Sequence, residues 1–206
     1  MRTMIAVPSM DQVPSHFARS LAMLEKHGEV LLGWEVGSLI YHARDNLAKQ
    51  AVEAEVDKIL WLDSDMVFHP SLLNKLLALD CDFATGLYFR RVPPFSPVLF
   101  EQLDIDEPAQ KCTWREYTEI PDKPFKVAGC GFGGVLMSTD VILSMQSKFG
   151  HCFAPIGGIG EDLAFCWRAR QCGYDIICDP SITMGHCGHT IITRSVWEST
   201  KNADKG

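Results

Sequence analysis

Lys58-Ile59-Leu60-Trp61-Leu62-Asp63-Ser64-Asp65-Met66 sets an apolar run directly against two carboxylates. A run of this length, rich in β-formers, reads as a buried strand. Asp63 and Asp65 then fall at its C-terminal end. Strand side chains alternate, so residues two apart are expected to point the same way and the two carboxylates to converge. In an open α/β sheet, ligands bind outside the carboxyl ends of the strands. Repulsion within such a pair is relieved by a divalent cation, and oxygen ligands favour hard ions such as Mg2+ or Mn2+. A D-x-D triplet by itself is common in solvated turns. Its place behind this strand, and behind two strand-helix units, gives it weight.

Those units precede it. Thr3 to Pro8 reads as a buried strand. Ser15 is placed to cap a helix in which Phe17, Leu21 and Leu24 recur at helical spacing, with Gly28 as its stop. Glu29 to Trp34 reads as a second strand. A second helix is expected from about Leu39 to Val56, burying Ile40, Ala43, Leu47, Ala51 and Ala54. Beyond the acidic triplet, Pro70 suits the first turn of a helix carrying Leu72, Leu73, Leu76 and Leu77, and Asp82 to Tyr88 reads as a strand. Residues 101–125 are polar with little periodicity and look like an excursion from the sheet. The apolar pattern returns over Lys126 to Met137, after which Thr139 caps a short helix. A helix from Glu161 to Cys172, ended by Gly173, and a strand from Asp175 to Cys178 follow. The segment from about residue 190 to 206 is polar and reads as a frayed tail. Alternating strands and helices predict one α/β domain over residues 1–206, with a mostly parallel sheet flanked by helices.

Composition narrows the function. The chain has 206 residues, 47% of them hydrophobic, enough for one compact core. A net charge of -7 argues against nucleic acid or an anionic membrane as partner. No apolar stretch reaches the roughly 20 residues of a membrane helix. Eight cysteines lie inside apolar or helical segments with no C-x-x-C pair, and the apolar run from Met4 to Val7 is too short to read as a secretory leader. They are expected to be reduced thiols of a cytoplasmic protein, although a zinc site drawing on Cys166, Cys172, Cys178, Cys187 and nearby histidines is a rival reading.

Other segments carry chemistry. Glu161-Asp162 follows Gly157-Gly158-Ile159-Gly160 and opens a helix. Acidic residues there often serve only the helix dipole. A glycine loop could equally present a carboxylate to an acceptor hydroxyl as general base. Gly185-His186-Cys187-Gly188-His189 follows the last strand, and either imidazole could join the carboxylates on a metal. Gly129-Cys130-Gly131-Phe132-Gly133-Gly134 matches no phosphate-loop pattern; its glycines could let a bound sugar lie against the backbone at Gly134 or form a tight turn. Arg44 and Arg90-Arg91 could contact a diphosphate, against a default of solvated arginine.

In order and spacing, these segments resemble the GT-A-type glycosyltransferases, within them the large inverting family of small bacterial and viral enzymes. The resemblance runs from Ile5 to about Gly188. It is carried by Ile5-Ala6-Val7-Pro8, Ala43-Arg44-Asp45-Asn46 (with Asp45 interrupting an A-R-N pattern), Leu60 to Met66, Gly86-Leu87-Tyr88-Phe89-Arg90-Arg91, Glu161-Asp162 and His186-Cys187-Gly188. It implies a GT-A (Rossmann-like) fold and a nucleotide-sugar donor, most often of uridine. It implies Mn2+ or Mg2+ on Asp65 and His186, with Asp63 on the metal or the ribose. Pro8, Arg44, Asp45, Asn46, Asp63, Ser64, Arg90 and Gly134 would border the donor. Asp162 would be the base that makes transfer inverting, positioned by Glu161; a retaining relative stays open. The acceptor could be a glycan, a lipid-linked sugar, a protein or a modified base. A sugar-phosphate nucleotidyltransferase and a non-catalytic sugar-binding domain are the alternatives. The first would usually carry a glycine- and lysine-bearing signature that Met4 to Gln12 lacks; the second would need neither Asp65 nor Asp162.

Overall fold

The structure, a computed structural model, describes residues 1–37, 39–106, 108–109, 111–188 and 191–203. The chain begins with β1 (Arg2–Ser9), α1 (Ser15–Met23), β2 (Glu29–Val36), α2 (Ile40–Glu53), β3 (Lys58–Trp61), β4 (Met66–Val67), α3 (Leu72–Leu77) and β5 (Phe83–Leu87). It continues with β6 (Leu99–Asp106), β7 (Lys111–Glu116), β8 (Phe125–Val127), β9 (Gly129–Cys130), β10 (Val135–Ser138), α4 (Thr139–Phe149) and α5 (Glu161–Gln171). It closes with β11 (Ile176–Thr183), β12 (Gly185–Cys187), β13 (Ile191–Ile192) and α6 (Arg194–Ala203).

Seven strands form the main sheet in the order β2-β1-β3-β10-β5-β11-β8. Five run in one direction; β10 and β8 run against their neighbours. Both faces are covered. Met4, Ala6, Ile59 and Trp61 join one core with Leu47 and Ala51 of α2, Val141 of α4 and Phe165 of α5. The intervening Ile5, Val7, Leu60 and Leu62 join another with Phe17 of α1 and Leu72, Leu73 and Leu76 of α3. Strands buried on both faces read as unbroken apolar runs, which explains the sequence of β1 and β3.

Several expectations are revised. α1 is preceded by Pro14 without a side-chain cap, so Ser15 lies inside the helix, which stops at Met23, ahead of Gly28. In α2 the buried residues are Ala43, Arg44, Leu47, Ala48 and Ala51; Ile40 is exposed and Ala54 lies beyond the end. Thr139 does not cap α4: its hydroxyl donates to the Val56 carbonyl at 2.5 Å. The excursion after Arg91 is real but ordered, with β6 pairing antiparallel to both β7 and β9 as a separate sheet. Instead of fraying, residues 194–203 form α6, and Trp197 is buried against Phe89 with ring centroids 5.0 Å apart. Among the described residues, no helix is long and apolar enough to cross a membrane, and all eight cysteines are free.

Candidate functional site

A cleft opens at the C-terminal ends of β1 and β3. Pro8, Ser9 and Met10 line one wall, and Ile40, Ala43 and Arg44 of α2 another. Asp63, Ser64 and Asp65 form its floor, closed by Arg91, by Glu161 and Asp162 at the start of α5, and by His186 of β12.

β3 ends at Trp61, and Asp63 to Asp65 belong to a turn closed by the Met66 N–H on the Asp63 carbonyl at 3.1 Å. Strand alternation therefore does not extend over the acidic pair, and the two side chains find different partners. Asp63 Oδ1 accepts from Arg44 Nη2 at 2.8 Å. Asp65 Oδ2 accepts from Arg91 Nη1 at 2.8 Å and lies 3.3 Å from His186 Nε2. Asp63, Asp65 and His186 line one cleft with different partners, and among the described residues no three His, Cys, Asp or Glu side chains form a metal-holding group.

His186 reaches Asp65 through the small sheet β13-β12-β4, in which His186 stands opposite Met66. Its Nδ1 lies 2.9 Å from the Phe89 carbonyl. A carbonyl can only accept, so Nδ1 carries a proton, and Nε2 either protonates toward Asp65 or presents a lone pair. Burial opposes charge on His186, but its bonds to Asp65 and Phe89 outweigh this and raise its pKa. Burial likewise favours the neutral acid at Asp65, yet His186 and Arg91 hold its pKa below the usual carboxylate value. An imidazole with an oriented second nitrogen beside a carboxylate suits a divalent cation. Mg2+ and similar ions keep water and phosphate oxygens as ligands, so two protein groups suffice.

Arg44 is 2% exposed. Its Nε lies 3.3 Å from Glu161 Oε1, so one guanidinium ties the end of β3 to the start of α5. The guanidinium carbon sits 4.9 Å from the Phe132 ring centroid, and Nη1 has no hydrogen-bond partner. Burial works against this cation, but Asp63 and Glu161 outweigh it and raise its pKa. Arg44 is therefore an internal counter-ion that only borders the cleft.

Glu161 and Asp162 occupy the first turn of α5, where helix N–H groups favour negative charge. Asp162 Oδ1 accepts the Leu163 N–H at 2.8 Å. Loss of water around the carboxyl, then repulsion from Glu161, raises the Asp162 pKa to about 6, against the opposing pull of the Leu163 N–H and Arg44. A carboxylate so placed takes a proton near neutral pH more readily than an ordinary aspartate.

A second lobe continues from this cleft past Asp63, Arg91, Asp162 and His186. Its further walls are Tyr88, Arg90, Val92, Val98, Phe100 and Leu163. Arg90 Nη2 is 2.5 Å from Glu116 Oε1, so its charge is already paired.

Three expected donor contacts lie elsewhere. Successive helix positions are about 100° apart, so Arg44 and its two followers cannot share a face. Asp45 accepts the Phe153 N–H at 3.3 Å, and Asn46 is exposed; neither lines the cleft. Gly134 is buried and does not line the cleft, and a Cβ there would lie 2.3 Å from Met184 Sδ, so this glycine makes room for a core side chain. His189 lies outside the described residues. Sequence reasoning passed over Met10, Tyr88, Val92 and Val98. Their apolar character is indistinguishable from core until loops 9–14 and 88–98 are placed around the cleft.

The sheet order, the covered faces and the cleft at the strand ends define a GT-A-type α/β fold. Two solved structures share it. A protein described as A197 from STIV superposes with a TM-score of 0.64 at 18% identity, over 91% of this chain and 86% of that one. A structure described as GalNAc-T7 with UDP, GalNAc and Mn2+ superposes with a TM-score of 0.58 at 11% identity, over 90% of this chain and 43% of that one. No family model matches the sequence, and no curated protein matches it. The likeness is one of fold.

Proposed function

We propose that this chain is a metal-dependent glycosyltransferase moving a sugar from a uridine diphosphate donor to a hydroxyl acceptor with inversion. The observation that supports it most is the meeting, in one cleft, of the Asp65–His186 pair and a carboxyl, Asp162, whose pKa is about 6. The fold shared with a structure containing UDP and Mn2+ agrees.

Asp65 and His186 would hold Mn2+ or Mg2+, which when bound supplies Lewis-acid stabilisation of charge on the leaving diphosphate. Pro8, Ser64 and Arg44's neighbours Ile40 and Ala43 would border the nucleotide. Arg91, which shares Asp65 Oδ2 with His186, is a cation close enough to the same carboxylate to meet a diphosphate beside it. Asp63, held by Arg44, would face the ribose. Asp162 would accept the proton of the attacking hydroxyl, with Glu161 and Arg44 fixing the helix start from which it acts. Eight free cysteines fit a reducing compartment such as the cytoplasm.

The test is turnover of Asp162→Asn with a panel of UDP-sugars at saturating donor. Loss of a general base is expected to lower the rate about a hundredfold to ten-thousandfold. Donor affinity should change little. Near-normal turnover removes Asp162 from the mechanism and inversion with it.

A further inference from the structure

We infer that the second lobe receives an uncharged acceptor, one that presents an apolar or aryl group beside its reacting hydroxyl. This rests on the transferase reading above and adds the acceptor class to it.

The two lobes share the Asp162 edge but differ in chemistry. The first carries four carboxylates, two arginines and His186, which suits a divalent cation and, through it, a diphosphate. In the second, everything beyond the shared edge except Arg90 is apolar or aromatic: Tyr88, Val92, Val98, Phe100 and Leu163. Val92 is 59% exposed, so an apolar group is presented to solvent at the rim while Phe100 and Leu163 form the wall behind it. Water is displaced from such a surface most favourably by another apolar surface. A hydroxyl delivered to Asp162 from this side would have its carrier lying against Val92, Val98 and Leu163.

Charge narrows the class further. A phosphorylated acceptor needs an available cation on the same side. Arg90 is paired with Glu116 at 2.5 Å, and Arg91, 2.8 Å from Asp65, is the cation already assigned to the donor's diphosphate. Asp63 and Asp162 add negative charge at the shared edge. The lobe therefore disfavours phosphate-bearing acceptors, including nucleic acid and sugar phosphates, and leaves neutral hydroxyl compounds with an apolar aglycone.

The experiment titrates the intact protein, held with UDP and Mn2+, with p-nitrophenyl β-glucoside, methyl β-glucoside and glucose 1-phosphate, followed by ligand-observed NMR. The aryl glucoside is expected to bind at least about tenfold tighter than either of the others, the size of effect given by burying part of one ring. Val92→Asp, a change at an exposed position that leaves the core intact, should erase that preference while UDP still binds. Equal affinities, or preference for the phosphate, overturn the inference even though UDP binds. So does an aryl preference that Val92→Asp leaves unchanged. Failure of UDP to bind in the presence of Mn2+ overturns the transferase reading itself, and this inference with it.

Discussion

Asp162→Asn should make the protein more stable at pH 8 while disabling it. Folding raises the Asp162 pKa from 3.8 to about 6. At pH 8 the carboxyl is charged in both states, and the folded state bears the cost. A shift of about two units corresponds to about 3 kcal/mol at 1.36 kcal/mol per unit. The side chain lines an open cleft, so screening by water lowers the expected gain to about 1–3 kcal/mol. Between pH 6 and 3.8 the folded state binds the proton before the unfolded state does, so wild-type stability rises as pH falls through this window. Well below pH 3.8 both states are protonated and the cost is gone; at pH 4, where the folded carboxyl is neutral, most of it already is. The carboxamide keeps an oxygen for the Leu163 N–H and carries no charge at either pH. The assay is urea unfolding of metal-free wild type and Asp162→Asn at pH 8 and pH 4. A gain of about 1–3 kcal/mol at pH 8, or about 2–10 °C in Tm for a chain of this length, should mostly vanish at pH 4. A variant no more stable than wild type at pH 8, or an advantage independent of pH, would show that folding does not raise the Asp162 pKa.

Arg44→Met should destabilise by about 3 kcal/mol at neutral pH, because Asp63 and Glu161 lose their buried counter-ion; a loss under about 1 kcal/mol in denaturant unfolding would show that water already screens the pair. Asp45→Ala should leave the affinity for UDP with Mn2+ within about twofold and cost about 1 kcal/mol of stability, from the unpaired Phe153 N–H. Calorimetry on that variant checks both, and a tenfold loss of affinity would return Asp45 to the donor site. Gly86→Ala should cost about 1–3 kcal/mol, since the added methyl would lie 2.6 Å from the Ile182 carbonyl oxygen; unchanged thermal unfolding would mean that β5 and β11 separate freely.

The main sheet was legible wherever a strand is buried on both faces. β1, β3 and β10 appear as apolar runs because each contributes alternate residues to two cores. The β6–β7 hairpin was not, because one face is solvated and a register shift between Phe100 and Gln102 breaks its alternation. α6 escaped because Val196 and Trp197 are its only bulky apolar residues in an otherwise polar segment. At the site, the residue types were legible but their directions were not. Asp63 and Asp65 part because the strand stops before them, and Asp45 and Asn46 turn away because helix phase allows only Arg44 inward. The apolar second lobe could not be read at all: a valine beside a cleft and a valine in a core have the same signature until the loop between Tyr88 and Val98 is placed.

In the proposed mechanism Asp65 and His186 hold a divalent cation under a nucleoside diphosphate. Isothermal titration of UDP into wild type and Asp65→Ala, each with Mn2+ and with EDTA, tests it most directly. Asp65 is a partly exposed turn residue, so the variant should fold. Wild type is expected to bind UDP at least about tenfold tighter with Mn2+ than with EDTA, a difference of about 1.4 kcal/mol or more, and Asp65→Ala is expected to show no such difference. UDP binding indifferent to Mn2+ in wild type, or Mn2+-dependent binding retained by folded Asp65→Ala, would show that Asp65 and His186 do not hold the ion.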